Sequence, residues 1–189
     1  MSVLAALQPV VEALERLGVA YHIRGSVASS VHGAPRATND VDLVVDLRPE
    51  HVDPLCSSLS GDFYASAELL RDAVTHATCA NLIHLQSGYK VDLFVCRRDE
   101  YGRRSLARFV DRGLEAGART FRVATAEDIL LRKLEWYRDG GEVSDRQWSD
   151  VLGILRLRRR DLDDAYLAHW ASHLRVDELL ARATCEAGL

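Results

Sequence analysis

Three aspartates sit where strand formers would be expected. Asp40 and Asp42 open the run DVDLVVDL, and Asp92 interrupts the run KVDLFVC. Aspartate is among the poorest strand formers, and like charges two residues apart on a strand share a face and repel, so a cationic group is expected beside them. The period of two puts Val41, Leu43, Val45 and Leu47 on one face of the first run and Asp40, Asp42, Val44 and Asp46 on the other. Val91, Leu93 and Val95 separate from Asp92, Phe94 and Cys96 in the same way. If the two strands are neighbours, Asp40, Asp42 and Asp92 meet. Such hard oxygen ligands suit magnesium or manganese. Two such ions roughly 3.5–4 Å apart can activate an attacking oxygen and stabilise a leaving one in an in-line phosphoryl displacement. Taken alone, the common D-x-D spacing favours a strand end facing water.

The Gly25-Ser26 pair upstream changes that balance. A strand ending at Arg24, a glycine that admits close backbone approach, and a serine at a helix N-terminus together form an anion site suited to triphosphate oxygens. Lys133 lies in the middle of a helical apolar stripe of Ile129, Leu130, Leu134, Trp136 and Tyr137. Two readings fit it: a snorkelling lysine, or one that reaches phosphates across a cleft. Arg146 and Asp150, four apart on the next helix, read as a surface ion pair. His169 and His173 lack the internal glutamate of H-E-x-x-H and read as the border of an apolar stripe at Leu162, Tyr166 and Trp170. Arginines cluster at Arg97, Arg98, Arg103 and Arg104, and again from Arg156 to Arg160. The first group is placed to steer a polyanion toward Asp92 or merely to solvate a loop. The second fits a helix end where cations complement the dipole, or a phosphate track.

These residues need elements to hold them. Leu4, Leu7, Val11, Leu14 and Leu17 recur at helical spacing up to Gly18, with Pro9 marking where the continuous helix is expected to begin. VAYHIR reads as a strand, SVASSVH as a short helix closed by Gly33, VDLVVDL as a second strand, and Pro49 to about Leu59 as a helix. ELLRDAVTHA is helical in pattern. ANLIHLQ and KVDLFVC form a hairpin across Ser87-Gly88-Tyr89. Residues 97–118 carry no clear period, and RTFRVAT reads as a last strand. Thr125 with Asp128, and Ser144 with Gln147, are capping-box patterns that open two helices; two more follow at Leu162–Leu174 and Asp177–Ala183. The expected plan is an α/β (α+β) mixed sheet flanked by helices in residues 1–124, followed by a helical subdomain in 125–189.

The 189 residues are 48% hydrophobic and 28% charged, with a net charge of −4, which argues against a chain that coats nucleic acid by bulk electrostatics. Four widely spaced cysteines show neither a zinc nor a disulfide pattern and read as small buried hydrophobes. No stretch approaches the ~20 apolar residues of a membrane helix, and MSVLAALQPVVEALERLG lacks the marks of a signal peptide. A cytoplasmic protein without membrane association is expected.

From Tyr21 to Leu155, GSVASSVHGAPRATNDVDLVV, KVDLFV and EDILLRKLEWY…SDRQWSDVLGIL resemble the minimal nucleotidyltransferases of the DNA polymerase β superfamily, especially the abortive-infection toxin branch. The resemblance implies that Gly25 and Ser26 hold the triphosphate of an NTP. Asp40 and Asp42 ligate two magnesium or manganese ions, and Asp92 ligates metal and helps deprotonate the acceptor hydroxyl. Arg36, Thr38, Lys133 and Asp150 fall at further nucleotide-binding positions. In the branch's K…R-D-x-x-D motif, Gln147 stands where the first aspartate belongs. The implied activity moves an NMP from NTP to an acceptor with release of pyrophosphate. The acceptor is ranked as an RNA end such as that of tRNA, then a small molecule, then a protein side chain, with a possible antitoxin as partner. The alternative is a non-catalytic nucleotide-binding or partner-binding regulatory module of the same fold.

Overall fold

The computed structural model describes residues 3–33, 38–115 and 119–189. Arg36, one of the expected nucleotide-binding residues, lies outside them. In chain order the elements are α1 (Leu4–Arg16), β1 (Tyr21–Arg24), α2 (Gly25–His32), β2 (Asp40–Val45), α3 (Pro49–Leu59), β3 (Phe63–Ala65), α4 (Ala67–His76), β4 (Cys79–His84), β5 (Lys90–Val95), α5 (Glu100–Leu106), β6 (Phe109–Gly113) and β7 (Thr120–Ala124). Four helices follow: α6 (Ala126–Asp139), α7 (Asp145–Arg158), α8 (Asp164–Leu174) and α9 (Asp177–Glu186). The described residues form a mixed α/β fold and divide into two compact units. One comprises the described parts of Met1–Val27 and Ala37–Val123, the other those of Ala28–Arg36 and Ala124–Leu189.

In the first unit the strands order as β3-β4-β5-β2-β1-β7-β6. β2 runs parallel to β5 and antiparallel to β1, while β4 and β5 form the expected antiparallel hairpin. Alternation decides the faces: Val41, Leu43, Val45, Val91, Leu93, Ala80 and Leu82 point into the core, where α1, α3 and α4 pack against the sheet. Asp40, Asp42 and Asp92 therefore share the other face.

Three expectations need correction. α1 starts at Leu4 and runs through Pro9. The proline deletes only the bond its N–H would give to Ala5, and burial of Ala6 and Leu7 holds the turn before it. The unassigned stretch after Arg97 contains α5 and β6; the first has only seven residues, and the second, FVDRG, lies at the sheet edge with little side-chain burial to create a period. β3, three residues long, is too short to show alternation.

In the second unit Thr125 caps α6 by accepting from the Asp128 N–H (3.4 Å), and Ser144 caps α7 by accepting from the Gln147 N–H (3.4 Å), both as expected from sequence. The Asp128 carboxylate is shared inward, taking the Tyr166 hydroxyl at 2.8 Å. α6 is buried over most of its surface, but Trp136 is 39% exposed and so leaves the expected apolar stripe. Arg158 donates to the Val31 and His32 carbonyls at the C-terminus of α2. This cation complements a helix end, although the end is not that of its own helix. His169 and His173 meet Trp170 edge-on, as the apolar-border reading expected.

Candidate active site

The registration of β2 between β1 and β5 brings the aspartates together. Asp42 lies beside Asp92 on β5 and beside Arg24 on β1, while Asp40 lies beside Lys90. Gly25 follows Arg24 directly, at φ +64°, and a Cβ added to it would stand 1.8 Å from the Asp42 carboxylate oxygen. The close approach therefore requires glycine twice over, for its backbone conformation and for the missing methyl group.

Each carboxylate has a protein partner. The Ser26 backbone N–H donates to Asp42. Lys90 Nζ stands 3.4 Å from Asp40 Oδ1, and Asn81 Nδ2 donates to Asp92 Oδ1 at 2.5 Å. The helix N-terminus expected to offer its N–H groups to an external anion thus already binds an internal one. Arg24, whose guanidinium lies 4.5 Å from the Phe94 ring centroid, and Lys90 are the cations that the crowded aspartates called for. Compensation is incomplete: burial raises the Asp42 pKa above its ordinary value, Asp92 and Asp40 raise it further, and Arg24 with the Ser26 N–H only partly offsets them.

Cys79, on the neighbouring strand β4, feels the same field. Partial desolvation of its sulfur, followed by the charges of Asp92 and Asp42, pushes the thiol up to about 11, although the residue as a whole is exposed. Cys79 and Cys185 are exposed, Cys56 is intermediate and Cys96 is buried, which corrects the reading of all four as buried hydrophobes. Thr38 uses its hydroxyl locally, donating to the Asp40 carbonyl at 3.1 Å and so starting β2.

Among the described residues, no three His, Cys, Asp or Glu side chains are already disposed together around an ion position. Asp40 is paired with Lys90 and Asp92 is hydrogen-bonded to Asn81 instead. The donor chemistry nevertheless fits a divalent cation. Three carboxylates against two cations leave surplus negative charge on this face.

Lys133 belongs to the second unit and is 6% exposed. Its ammonium donates to Asp150 Oδ2 at 2.8 Å and to Gln147 Oε1 at 3.1 Å, so it does not snorkel. Asp150 thus pairs with Lys133, and the expected Arg146–Asp150 ion pair is not formed. Burial decides the partner: Lys133 cannot be hydrated, whereas exposed Arg146 can.

Sequence reasoning missed Arg24, Lys90, Asn81 and Cys79. Lys90 was the most accessible of them, because K-x-D places it on the same face as Asp92. The others needed the strand register.

No protein-family model and no curated protein matches the sequence. Solved structures do match in fold. The solution structure of the antibiotic-resistance factor ANT(2'')-Ia aligns over 95% of this chain and 94% of its own, with a TM-score of 0.55 and 12% identity. An antigenic nucleotidyltransferase-like protein from Paracoccidioides brasiliensis aligns over 94% and 90%, with a TM-score of 0.52 and 19% identity. ANT(2'')-Ia in complex with adenylyl-2''-tobramycin aligns over 91% and 96%, with a TM-score of 0.50 and 14% identity. The chain has the nucleotidyltransferase fold.

The geometry sets three expectations. Gly25→Ala should cost about 1–3 kcal/mol, from the left-handed backbone and the collision with Asp42, as read by urea denaturation. In chelator, Asp42→Asn should be at least as stable as the wild type at pH 7. A carboxyl whose folded pKa is raised lends stability at low pH and loses it as pH rises through that pKa, so the advantage of the variant should shrink on acidification. A pH-independent difference would remove Asp42 as its source. Lys133→Met should destabilise the second unit by removing the buried ammonium that Asp150 and Gln147 bind, and Lys133→Met combined with Asp150→Leu should regain part of the loss, as read by urea denaturation.

Proposed function

We propose that this chain is a metal-dependent nucleotidyltransferase that moves a nucleoside monophosphate from an NTP to an acceptor hydroxyl and releases pyrophosphate. The observation that carries the reading is the in-register pair Asp42 and Asp92 on adjacent parallel strands, closed by the Gly25-Ser26 turn. Asp40, Asp42 and Asp92 would hold the magnesium or manganese ions, which supply Lewis-acid stabilisation of charge at the transferred phosphoryl group. Gly25 and Ser26 line the phosphate side of the site. Asp92, the carboxylate at the sheet position next to Asp42, accepts the proton of the attacking hydroxyl. Lys133 and Asp150 act on this reading as partners that hold α6 to α7, and not as phosphate ligands.

The fold supports the activity class, and two further facts favour one class of acceptor over another. ANT(2'')-Ia has been seen with adenylyl-2''-tobramycin, a small molecule that carries an adenylyl group. The arginines that favoured an RNA acceptor in the sequence stand beyond the C-terminal end of β5. They are about 16 Å along the chain from Asp92 at ~3.3 Å per strand residue, and so lie away from the carboxylate end. A small-molecule hydroxyl therefore ranks ahead of an RNA end, and the toxin role with its antitoxin partner rests on the sequence resemblance alone. The alternative of a non-catalytic module leaves the charge strain at Asp42 without a benefit. No described helix is long and apolar enough to cross a membrane.

The test uses the purified protein with magnesium, α-labelled NTPs and a whole-cell extract that retains both RNA and small molecules. Pyrophosphate release and label in a small-molecule product are expected, with Asp42→Asn reducing the rate by roughly 10²-fold or more. Wild-type turnover in Asp42→Asn, or label only in an RNase-sensitive product, would overturn the mechanism or the acceptor respectively. A second readout needs no turnover: magnesium together with ATP should raise the melting temperature of the wild type more than that of Asp42→Asn.

A further inference from the structure

At the end of the sheet opposite the aspartates, where β1 begins and β2 and β5 end, the first unit contains a cavity of about 540 Å³. That is the size of a small-ligand site. Five arginines reach its wall, Arg48, Arg97, Arg98, Arg103 and Arg122, against a single carboxylate, Asp46. This is a concentrated positive patch in a chain of net charge −4. Asp46 is already bonded to Arg48 at 3.2 Å. Neighbouring Asp99 is used at the N-terminus of α5, where it accepts the Gly102 N–H at 2.6 Å. Arg97 and Arg98 are exposed and form no ion pair among the described residues.

The patch is held in place. A Cβ on Gly102 would stand 2.0 Å from the Arg97 carbonyl, so α5 packs directly on the turn that carries the two arginines, and Arg103 donates to the Arg98 carbonyl. The cavity also has an aromatic side: the Arg122 guanidinium lies 5.6 Å from the Tyr21 ring centroid and 4.9 Å from that of Phe109. Tyr21 is anchored from behind by its hydroxyl, which donates to Glu15 at 3.1 Å. Guanidinium forks match phosphate oxygens in pairs, and a guanidinium stacked on aromatic rings offers a flat cationic surface to a planar heterocycle.

We propose that this cavity is a second ligand site, separate from the carboxylate face, that binds a nucleoside polyphosphate. Arg97 and Arg98 take the phosphates, and Arg122 with Phe109 takes the base. The site is independent of the transfer activity, and its test reads binding alone. Titration of the full chain with ADP and with GDP, in EDTA and low salt, should show binding to one site by calorimetry. Adenosine and inorganic pyrophosphate should each bind more weakly than ADP. Arg97→Gln combined with Arg98→Gln should weaken ADP by roughly tenfold or more with an unchanged melting temperature, because charge-assisted phosphate bonds are lost. Phe109→Leu should weaken ADP and leave pyrophosphate unaffected. The proposal is overturned if neither nucleotide binds, if the arginine double variant binds ADP as tightly as the wild type, if pyrophosphate matches ADP, or if only an RNA oligonucleotide binds.

Discussion

The candidate site depends on one unfavourable contact. β2 and β5 run parallel and in register, which sets Asp42 beside Asp92, while Asp40 follows two residues away on the same face. A sheet gains nothing from such a pair, and like charges at neighbouring positions destabilise it. The surroundings are built to contain the cost. Arg24 and Lys90 approach from the same face, Asn81 donates to Asp92, and the first turn of α2 lends the Ser26 N–H to Asp42. The Asp42 pKa still rises, chiefly through burial and then through Asp92 and Asp40, and the surplus carboxylate charge makes the face suitable for a divalent cation.

Gly25 links this electrostatic arrangement to the backbone. A side chain there would occupy the space of the Asp42 carboxylate, and the residue's positive φ turns the chain from β1 into α2 within a single position. Strand end, helix start and carboxylate are therefore one construction. Moving any of them disturbs the others, whereas the opposite face of the same strands is ordinary apolar packing against α1, α3 and α4.

The two ends of the central strands have opposite chemistry. Carboxylates concentrate at the start of β2 and β5, and guanidinium groups gather beyond their ends. A net charge near neutrality conceals this polarity, since the acidic and basic groups cancel in the sum while remaining several strand residues apart. The arginines follow KVDLFVC so closely that the linear chain suggests a shared mouth with Asp92. An extended strand instead carries them to the far side of the sheet.

Much was determined by the sequence alone, because the relevant signals are local. The period of two placed Val41, Leu43 and Val45 in the core and the aspartates opposite them, and the β4–β5 hairpin and the caps at Thr125 and Ser144 follow from neighbouring residues. Pro9 misled because long-range burial of Ala6 and Leu7 outweighs one missing backbone bond, and β3, α5 and β6 are too short or too exposed to carry a pattern. Partner choice belonged to tertiary structure. Arg24 faces Asp42 only through the antiparallel register of β1 with β2, Asn81 reaches Asp92 only through that of β4 with β5, and Lys133 takes Asp150 because both are withdrawn from water. Residue type and spacing name the groups able to do chemistry, but which charge neutralises which depends on distance and burial, and those exist only in the folded chain.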